Sequence, residues 1–266
     1  MRTIILLDID GTLVDAGYKV NSDSIFESIK TLESKGAIFS LNSNRSLEDL
    51  MPIYEKFGLN GFIIGENGAF SVIPGQQLES YANNEEIATL AQRIPEMLKS
   101  KFPSSEFLVR DTVAFLQNPE KSDAMILFVS NKFRKYTMSV FVGRVEDAKF
   151  VTDLELLKRV AGAIATEVSS LGADFDVVAS PINGNVLINP KSCSKSSTLS
   201  RVIEVKYAGY EVIMISDDES DEMIGSVGKF YTLSNAKERI KEKADYVSRY
   251  SYAMGVDDIL NNRILK

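Results

Sequence analysis

The sequence contains no histidine and only one cysteine, Cys193. Without histidine, the chain cannot use Ser-His-Asp or Cys-His catalysis, a histidine-ligated zinc ion or a histidine proton shuttle. A single cysteine cannot form an internal disulfide, which suits a reducing compartment but is equally compatible with a secreted protein that has no disulfides. Any catalysis must therefore depend on carboxylates, lysine, hydroxyl groups and a hard metal ion.

Basic residues are in the minority and form no notable cluster. Lys and Arg number 30 against 37 Asp and Glu, for a formal net charge of -7. This balance argues against a nucleic-acid partner or an anionic membrane surface, and the apolar runs are too short for a signal sequence or a membrane span. We therefore expect a cytoplasmic protein, and its 266 residues suffice for one large domain or two unequal ones.

Both ends of the chain alternate strand patterns with amphipathic helix patterns. The N-terminal part predicts strands at 3–7, 37–41 and 61–64, separated by a helix that includes Ile25 and Leu32 and by a helix that begins at Ser46. The C-terminal part predicts helices at 195–205, 221–227, 237–243 and 256–264 and strands at 211–215 and 230–233. This alternation is typical of an α/β fold, here a Rossmann-like, doubly wound parallel sheet core formed by residues 1–80 and 188–266.

Residues 81–187 follow a different pattern, and we predict that they form a smaller, inserted α+β domain. Strand patterns lie at 107–110, 125–129, 138–142, 174–179 and 185–188, with helical patterns from 85 onward and at 153–169. Pro95 is expected to interrupt or kink the first of these helices. The dipeptide Asn183-Gly184 predicts a hairpin turn between the last two strands.

Polar residues follow four of the predicted core strands. They are Asp8 and Asp10; Ser43, Asn44 and Arg45; Glu66 and Asn67; and Asp217, Asp218 and Asp221. Each alone is most often a turn or a helix cap, but ligands of open parallel sheets bind beyond the carboxyl ends of the strands, so we expect these residues to meet. Converging carboxylates repel one another unless a cation compensates, and Mg²⁺ fits because it takes oxygen ligands together with a substrate phosphate.

Five motifs carry a resemblance to a known family. In the order "DIDGTLVD", "SNRS", "ENGAF", "SKSSTL" and "SDDESDEM", the chain resembles the haloacid dehalogenase superfamily of phosphohydrolases over roughly residues 3–70 and 187–247. The insert resembles the type-two cap of that superfamily in its smaller, C2B-like form. Such caps occur in Cof-type sugar phosphatases, archaeal phosphoglycolate phosphatases, sucrose and mannosylglycerate phosphate phosphatases and phosphomannomutases. The resemblance implies that residues 81–187 select the substrate.

The resemblance also implies a role for each motif residue. Asp8 is similar to the nucleophile and Asp10 to the general acid/base, while Ser43 matches the hydroxyl that binds the phosphoryl group and Lys195 the ammonium that neutralises it. The implied Mg²⁺ ligands are Asp8, Asp10 through its main-chain carbonyl and Asp217, with Asp221 as an alternative ligand or as a residue that supports the ligands. The residues implied to contact the substrate are Asn44, Arg45, Asn67 and Ser220.

Two motifs depart from the family pattern. Ser43-Asn44-Arg45 stands where relatives often have Thr-Gly-Arg, and Ser216 and Ser220 stand where they usually have glycine and asparagine. Without an asparagine amide at Ser220, we expect turnover or metal geometry to differ from that of relatives. Lys191 is an alternative to Lys195, and we prefer Lys195 because relatives place the lysine at the opening of the helix that follows the cap.

The leading hypothesis is a Mg²⁺-dependent phosphatase, a phosphoric monoester hydrolase that acts through an aspartyl-phosphate. Its substrate would be a small phosphorylated metabolite, either a sugar phosphate or a phospho-acid such as phosphoglycolate. The alternative enzyme is a phosphomutase of the phosphomannomutase type, and the alternatives of another class are a phospho-signalling receiver and a catalytically silent binding protein. We expect no nucleic-acid or membrane partner, and a monomer or homodimer.

Overall fold

The two ends of the chain form one compact unit and the residues between them form another. The structure is a computed structural model that describes residues 2–15, 17–110, 115, 124–129, 134–181, 183–218 and 227–265. The first unit comprises Met1–Ser80 and Ser194–Lys266, and the second comprises Tyr81–Cys193. The second boundary falls after Cys193 and not after residue 187, because the strand Asn185–Pro190 belongs to the sheet of the inserted unit.

The regular elements of the described residues follow in chain order. The strands are β1 (Thr3–Leu7), β2 (Ala37–Asn42), β3 (Ile63–Gly65), β4 (Phe70–Val72), β5 (Glu79–Ser80), β6 (Glu106–Leu108), β7 (Met125–Val129), β8 (Met138–Glu146), β9 (Lys149–Thr152), β10 (Phe175–Ser180), β11 (Asn185–Pro190), β12 (Glu211–Ile215), β13 (Lys229–Thr232) and β14 (Tyr246–Val247). The helices are α1 (Ile25–Ser34), α2 (Leu47–Phe57), α3 (Asn84–Lys101), α4 (Leu154–Ser170), α5 (Lys195–Lys206), α6 (Glu238–Lys241) and α7 (Tyr252–Ile259), with a π-helical turn at Leu260–Ile264 and a 3-10 turn at Glu66–Gly68.

An eight-stranded sheet forms the first unit in the order β14-β13-β12-β1-β2-β3-β4-β5. The six strands from β14 to β3 are parallel, and β4 and β5 continue the sheet antiparallel. β1 lies between β2 and β12, with Thr3 opposite both Ala37 and Glu211, and all of its residues are buried. The expected parallel core is thus confirmed, while β4 and β5 were not predicted.

Helices cover both faces of this sheet because the central strands present apolar side chains to each face. Ile4 and Leu6 of β1 belong to one buried cluster with Leu199 of α5 and Ile240 of α6. Side chains alternate along a strand, so Ile5 and Leu7 face the opposite side, where burial is equally complete. α1 packs on β2 and against α7. This arrangement confirms the α/β prediction for the core.

The inserted unit has a sheet in the order β10-β11-β8-β7-β6, and β9 pairs with the C-terminal half of β8. α3 and α4 pack on one face through Leu90, Ile94, Val160 and Ile164. β10 and β11 form the antiparallel pair expected on either side of Asn183-Gly184. The β8–β9 hairpin was not predicted.

The interruption expected at Pro95 is absent, since α3 runs unbroken through this residue. Pro95 removes one backbone donor, but Ile87, Leu90, Ile94 and Leu98 bury one face of the helix in the core, and this burial outweighs the lost hydrogen bond. The helix predicted at 221–227 falls almost entirely outside the described residues. Among the residues that are described, none of the helices has the length and apolar composition required to cross a membrane.

Candidate active site

Asp8 lies at the carboxyl end of β1, in the middle of the first unit's sheet. Its backbone N–H donates to the carbonyl of Ile215 at 3.1 Å, which extends the β1–β12 pairing as far as the carboxylate. The residue is only 7% exposed. A carboxylate held by a central parallel strand in this way occupies the position where open α/β sheets bind their ligands.

Asp217 reaches the same place because β12 pairs in parallel with β1. The Thr12 hydroxyl lies 3.1 Å from Oδ1 of Asp217 and 3.4 Å from Oδ2 of Asp8. A hydroxyl has one proton, so Thr12 can donate to only one of these carboxylates at a time. Two carboxylates from opposite ends of the chain therefore lie on either side of one fully buried hydroxyl.

Gly11 makes room for the Asp217 carboxylate. Its φ of +81° lies in the left-handed region, and a Cβ on this residue would come within 2.2 Å of Oδ2 of Asp217. No side chain fits into that space without displacing the carboxylate, and the backbone conformation independently favours glycine. The glycine of the "DIDGTLVD" motif thus determines where Asp217 can lie.

Lys195 is the first residue of α5, and its ammonium lies 3.7 Å from Oδ1 of Asp8. Ser194 and Ser197 form a reciprocal capping box that fixes the start of this helix. The turn after β3 approaches the same point so closely that a Cβ on Gly68 would lie 2.2 Å from the backbone carbon of Ser194. Because Lys195 and Asp8 are 6% and 7% exposed, solvent screens their attraction little.

The Asp10 carboxylate is held by Arg45. Nε and Nη2 of Arg45 donate to the two carboxylate oxygens at 2.9 and 2.5 Å, and the guanidinium lies 5.3 Å from the ring centroid of Tyr18. Burial acts to lower the pKa of Arg45, but its hydrogen bonds to Asp10 and the charge of Asp10 outweigh burial and raise that pKa. Asp10 itself stays accessible, with 54% of its side chain exposed. The structure thus places Arg45 against Asp10, the expected acid/base.

The remaining candidates lie in the loops that follow β2 and β3. Ser43 is 1% exposed and its hydroxyl oxygen accepts the backbone N–H of Arg45 at 3.2 Å. The N–H of Asn67 lies 3.4 Å from the carbonyl oxygen of Ser43, which joins the two loops, and Asn67 has a φ of +59°. Asn44 is half-buried between Ser43 and Arg45. These positions bring the second and third motifs to the edge where Asp8 lies.

Three further candidates have other outcomes. Ser220 and Asp221 lie outside the described residues. Lys191, the alternative to Lys195, belongs to the inserted unit and pairs at 3.4 Å with Asp174 on the surface. The lysine that contacts Asp8 is therefore Lys195.

Asn235 is a site residue that the sequence analysis missed. Its Nδ2 donates to the carbonyl of Gly11 at 2.8 Å and to Oδ2 of Asp217 at 3.3 Å. It follows β13, the neighbour of β12, so the rule that polar residues collect beyond the carboxyl ends of core strands places it at the same edge of the sheet, but that rule alone does not distinguish it from an ordinary turn residue. Thr12 was missed as a site residue because the motif threonine was not considered apart from the acids around it.

Comparison with known proteins identifies the family. The sequence model of the haloacid dehalogenase-like hydrolase family matches residues 5–260. The chain belongs to this family. Similar solved structures include a haloacid dehalogenase-like hydrolase from Bacteroides thetaiotaomicron, with a TM-score of 0.72 and 20% identity over 98% of this chain and 99% of that one. A Thermoplasma acidophilum protein has a TM-score of 0.70 and 21% identity over the whole of both chains.

The curated relatives of this haloacid dehalogenase-like hydrolase are phosphatases by name. A phosphoglycolate phosphatase of Picrophilus torridus is 25% identical over 267 residues, covering 98% of this chain and 92% of that protein. A phosphoglycolate phosphatase of Thermoplasma volcanium is 23% identical over 265 residues, covering 98% of each. The family and these names together support the expected enzyme class, a phosphoric monoester hydrolase.

Phosphatases of this family generally use a divalent metal, and the described residues fit one. The Thr12 hydroxyl contacts both Asp8 and Asp217, and two carboxylates held this close together favour a cation between them. Among the described residues, no group of three or more Asp, Glu, Cys or His side chains could hold a metal alone. A Mg²⁺ ion needs only one or two protein carboxylates, because waters and a substrate phosphate complete its ligands.

Proposed function

We propose that this protein is a Mg²⁺-dependent phosphatase that hydrolyses a small phosphorylated metabolite through an aspartyl-phosphate on Asp8. The observation that carries the proposal is the surroundings of the Asp8 carboxylate. It lies at the end of the central parallel strand, 3.7 Å from the buried ammonium of Lys195, and shares the Thr12 hydroxyl with Asp217. A carboxylate, a cation and a second carboxylate in this arrangement suit phosphoryl transfer.

In the first half-reaction, Asp8 attacks phosphorus and the bond from phosphorus to the leaving oxygen breaks. Asp8 and the phosphate ester are both anionic, so the positive charge of Lys195 is needed to offset charge on the non-bridging oxygens. A Mg²⁺ ion held by Asp8 and Asp217 would add further charge neutralisation at those oxygens. The hydroxyl of Ser43, whose oxygen accepts from Arg45, can direct its proton to a phosphate oxygen.

Asp10 supplies and removes the protons in this scheme. It protonates the leaving alkoxide in the first step, and it takes a proton from the water that attacks phosphorus and breaks the bond to Asp8 in the second. Arg45 binds one lone pair on each Asp10 oxygen, and a carboxylate has about four lone-pair sites, so further sites remain for a hydrogen bond with the leaving oxygen or with water. The bidentate pair therefore orients Asp10 without blocking it.

The substrate proposal rests on the curated relatives, which are named phosphoglycolate phosphatases and which the chain matches over nearly its full length. We infer that the substrate is a small phosphomonoester, with phosphoglycolate as the first compound to test and sugar phosphates as the next. Substrate choice is assigned to the inserted unit Tyr81–Cys193, acting as a cap.

Release of inorganic phosphate tests the proposal. Purified protein with Mg²⁺ is expected to release phosphate from at least one member of a panel that includes phosphoglycolate and several sugar phosphates. EDTA should abolish the release, and Asp8→Asn should lower kcat by at least about 10³-fold while leaving the circular dichroism spectrum unchanged. No release from the whole panel, or normal turnover by Asp8→Asn, would refute the proposal. Phosphoryl transfer to a second hydroxyl of the sugar, stimulated by a bisphosphate, would indicate a phosphomutase instead.

A further inference from the structure

We infer that Asn235 is a positioning residue that holds the Asp217 carboxylate in place for the metal ion. The inference rests on the proposed function, because it concerns the metal site of the same reaction. Asn235 lies in the turn after β13, 18 residues beyond Asp217 along the chain, and its amide bridges the two segments that carry the acids of the site. It does not itself contact the reacting atoms.

The amide group of Asn235 uses three hydrogen-bonding positions. Nδ2 donates to the carbonyl oxygen of Gly11 at 2.8 Å and to Oδ2 of Asp217 at 3.3 Å, while Oδ1 accepts the backbone N–H of Tyr252 at 3.2 Å. Two acceptors lie on one side of the amide and a donor on the other, so a single orientation of the amide satisfies all three. Neither a carboxylate nor an aliphatic side chain could make this set of bonds.

Asn235 and Thr12 contact different oxygens of the Asp217 carboxylate. Asn235 binds Oδ2 of Asp217, whereas Thr12 lies against Oδ1, on the side of Asp8. These contacts form a closed ring. Thr12 joins Asp8 to Asp217, and Asn235 joins Asp217 to Gly11, which lies in the same loop as Asp8. The rotation of the Asp217 carboxylate is therefore restrained on both oxygens. Hydrogen bonds of this kind orient the carboxylates that ligate metals.

The anchor of Asn235 lies at the start of α7. Tyr252 is the first residue of this helix and has a φ of +54°, a backbone conformation that is uncommon for a residue other than glycine. Its N–H, which like every N–H of a first helical turn has no acceptor within the helix, donates to the amide oxygen of Asn235. The orientation of Asp217 thus depends on a helix that contributes no side chain to the predicted set of catalytic residues.

Asn235→Ala tests the inference by direct metal binding. Isothermal titration calorimetry with Mg²⁺ on the full chain is expected to show an affinity about 10- to 100-fold below that of the wild type. In the phosphatase assay, the Mg²⁺ concentration for half-maximal rate should rise by a similar factor, and saturating Mg²⁺ should restore kcat to within about threefold of the wild type. If Asn235→Ala does not fold, Asn235→Ser is measured in the same way, since its short hydroxyl cannot reach both acceptors.

Asn261→Ala is the matched control. Nδ2 of Asn261 also lies within hydrogen-bond distance of three acceptors, which are Ser28 Oγ and the carbonyl and side-chain oxygens of Asp257, and its two protons can serve two of them at a time. None of these acceptors belongs to the site. The Mg²⁺ affinity of this variant should equal that of the wild type. The inference is overturned if Asn235→Ala binds Mg²⁺ as tightly as the wild type, or if Asn235→Ala and Asn261→Ala lose equal Mg²⁺ affinity. In either case, phosphatase activity in the wild type leaves the proposed function standing. A wild-type protein that binds no divalent cation overturns both.

Discussion

The Thr12 hydroxyl lies 3.1 Å from Oδ1 of Asp217, although 205 residues separate the two along the chain. The same hydroxyl lies 3.4 Å from Oδ2 of Asp8. The contact exists because β12 aligns with β1 residue by residue, from Thr3 opposite Glu211 to Leu7 opposite Ile215, so the residues that follow both strands emerge side by side. The position of Asp217 is thus set by strand pairing and then refined by its neighbours Gly11, Thr12 and Asn235.

Gly11→Ala is expected to lower kcat/KM by at least about 100-fold, because the new Cβ would lie 2.2 Å from Oδ2 of Asp217 and must push that carboxylate away. The measurement is steady-state kinetics across a range of Mg²⁺ concentrations. Gly75→Ala is the matched control, since Gly75 has a φ of +85° but a Cβ on this residue would have nothing within 4 Å. Both variants should lose about 1–2 kcal/mol of unfolding free energy from backbone strain, but only Gly11→Ala should lose activity. Equal activity in the two variants would contradict the role of Gly11.

Lys195→Met is expected to lower kcat/KM by about 10²- to 10³-fold, because the methionine fills the buried space but cannot offset charge on the phosphoryl oxygens. Lys191→Met is the control: Lys191 is 51% exposed and its ion pair with Asp174 lies on the surface. Steady-state kinetics with the best substrate of the panel compares the two. A larger loss in Lys191→Met than in Lys195→Met would reverse the assignment of the phosphate-binding lysine.

Arg45→Lys distinguishes two roles for Arg45. If Arg45 orients Asp10, the lysine keeps the charge but loses one of the two hydrogen bonds, and kcat should fall about 10-fold with little change in KM. If Arg45 binds substrate, as the family resemblance implies, KM should rise instead. Arg93→Lys is the matched control, because Arg93 also contacts a carboxylate, Glu167, through Nε and Nη2 but lies in the inserted unit. Arg93→Lys should leave kcat unchanged.

The raised pKa of Tyr54 predicts that the protein loses stability at high pH. Burial, followed by the negative charges of Glu33 and Tyr207, raises the pKa of Tyr54 from 10.0 to about 12, and its hydroxyl donates to the carbonyl of Gly61 at 2.9 Å. Between these two pKa values the unfolded chain releases the Tyr54 proton and the folded chain keeps it, so deprotonation stabilises the unfolded state. The contribution of protonated Tyr54 to the stability of the folded state is fully present below pH 10 and is lost as the pH rises through about 12.

Urea denaturation of the wild type and Tyr54→Phe at several pH values measures this effect. Below pH 10 the wild type should be more stable by about 1 kcal/mol, the contribution of the hydroxyl hydrogen bond. The difference should shrink as the pH is raised above 10, because phenylalanine has no proton to lose. A difference that stays constant up to pH 12 would show that Tyr54 does not cause the loss.

The periodic parts of the fold could be predicted from the sequence, and the irregular extensions could not. β1 and β12 are predicted residue for residue because a continuous apolar run is typical of a strand buried on both faces. β4 and β5 are three and two residues long, too short to show a period, and they form only because β3 offers an edge to pair with. The unbroken helix at Pro95 reflects tertiary packing, which the local preference of proline cannot reveal.

The acids of the candidate site could be predicted, whereas their hydrogen-bonding partners could not. Asp8 and Asp217 stand in dense acidic motifs at the ends of apolar runs, a local signal that sequence alone displays. Asn235 stands alone in an ordinary turn, and its significance comes from a strand pairing that only the folded sheet supplies. The bond between Arg45 and Asp10 was not predicted either, since the family resemblance implies a separate role for each residue, in substrate binding and in catalysis.

The place of β1 between β2 and β12 has a consequence for biosynthesis. A nascent chain can pair β1 with β2 once Asn42 has left the ribosome, but the other edge of β1 stays open until Glu211–Ile215 emerges. During this interval the whole inserted unit is synthesised while an apolar strand edge is available to other chains or to a chaperone. Stalled chains that end before β12 should therefore leave Thr3–Leu7 sensitive to protease, and chains that extend well beyond Ile215 should protect it.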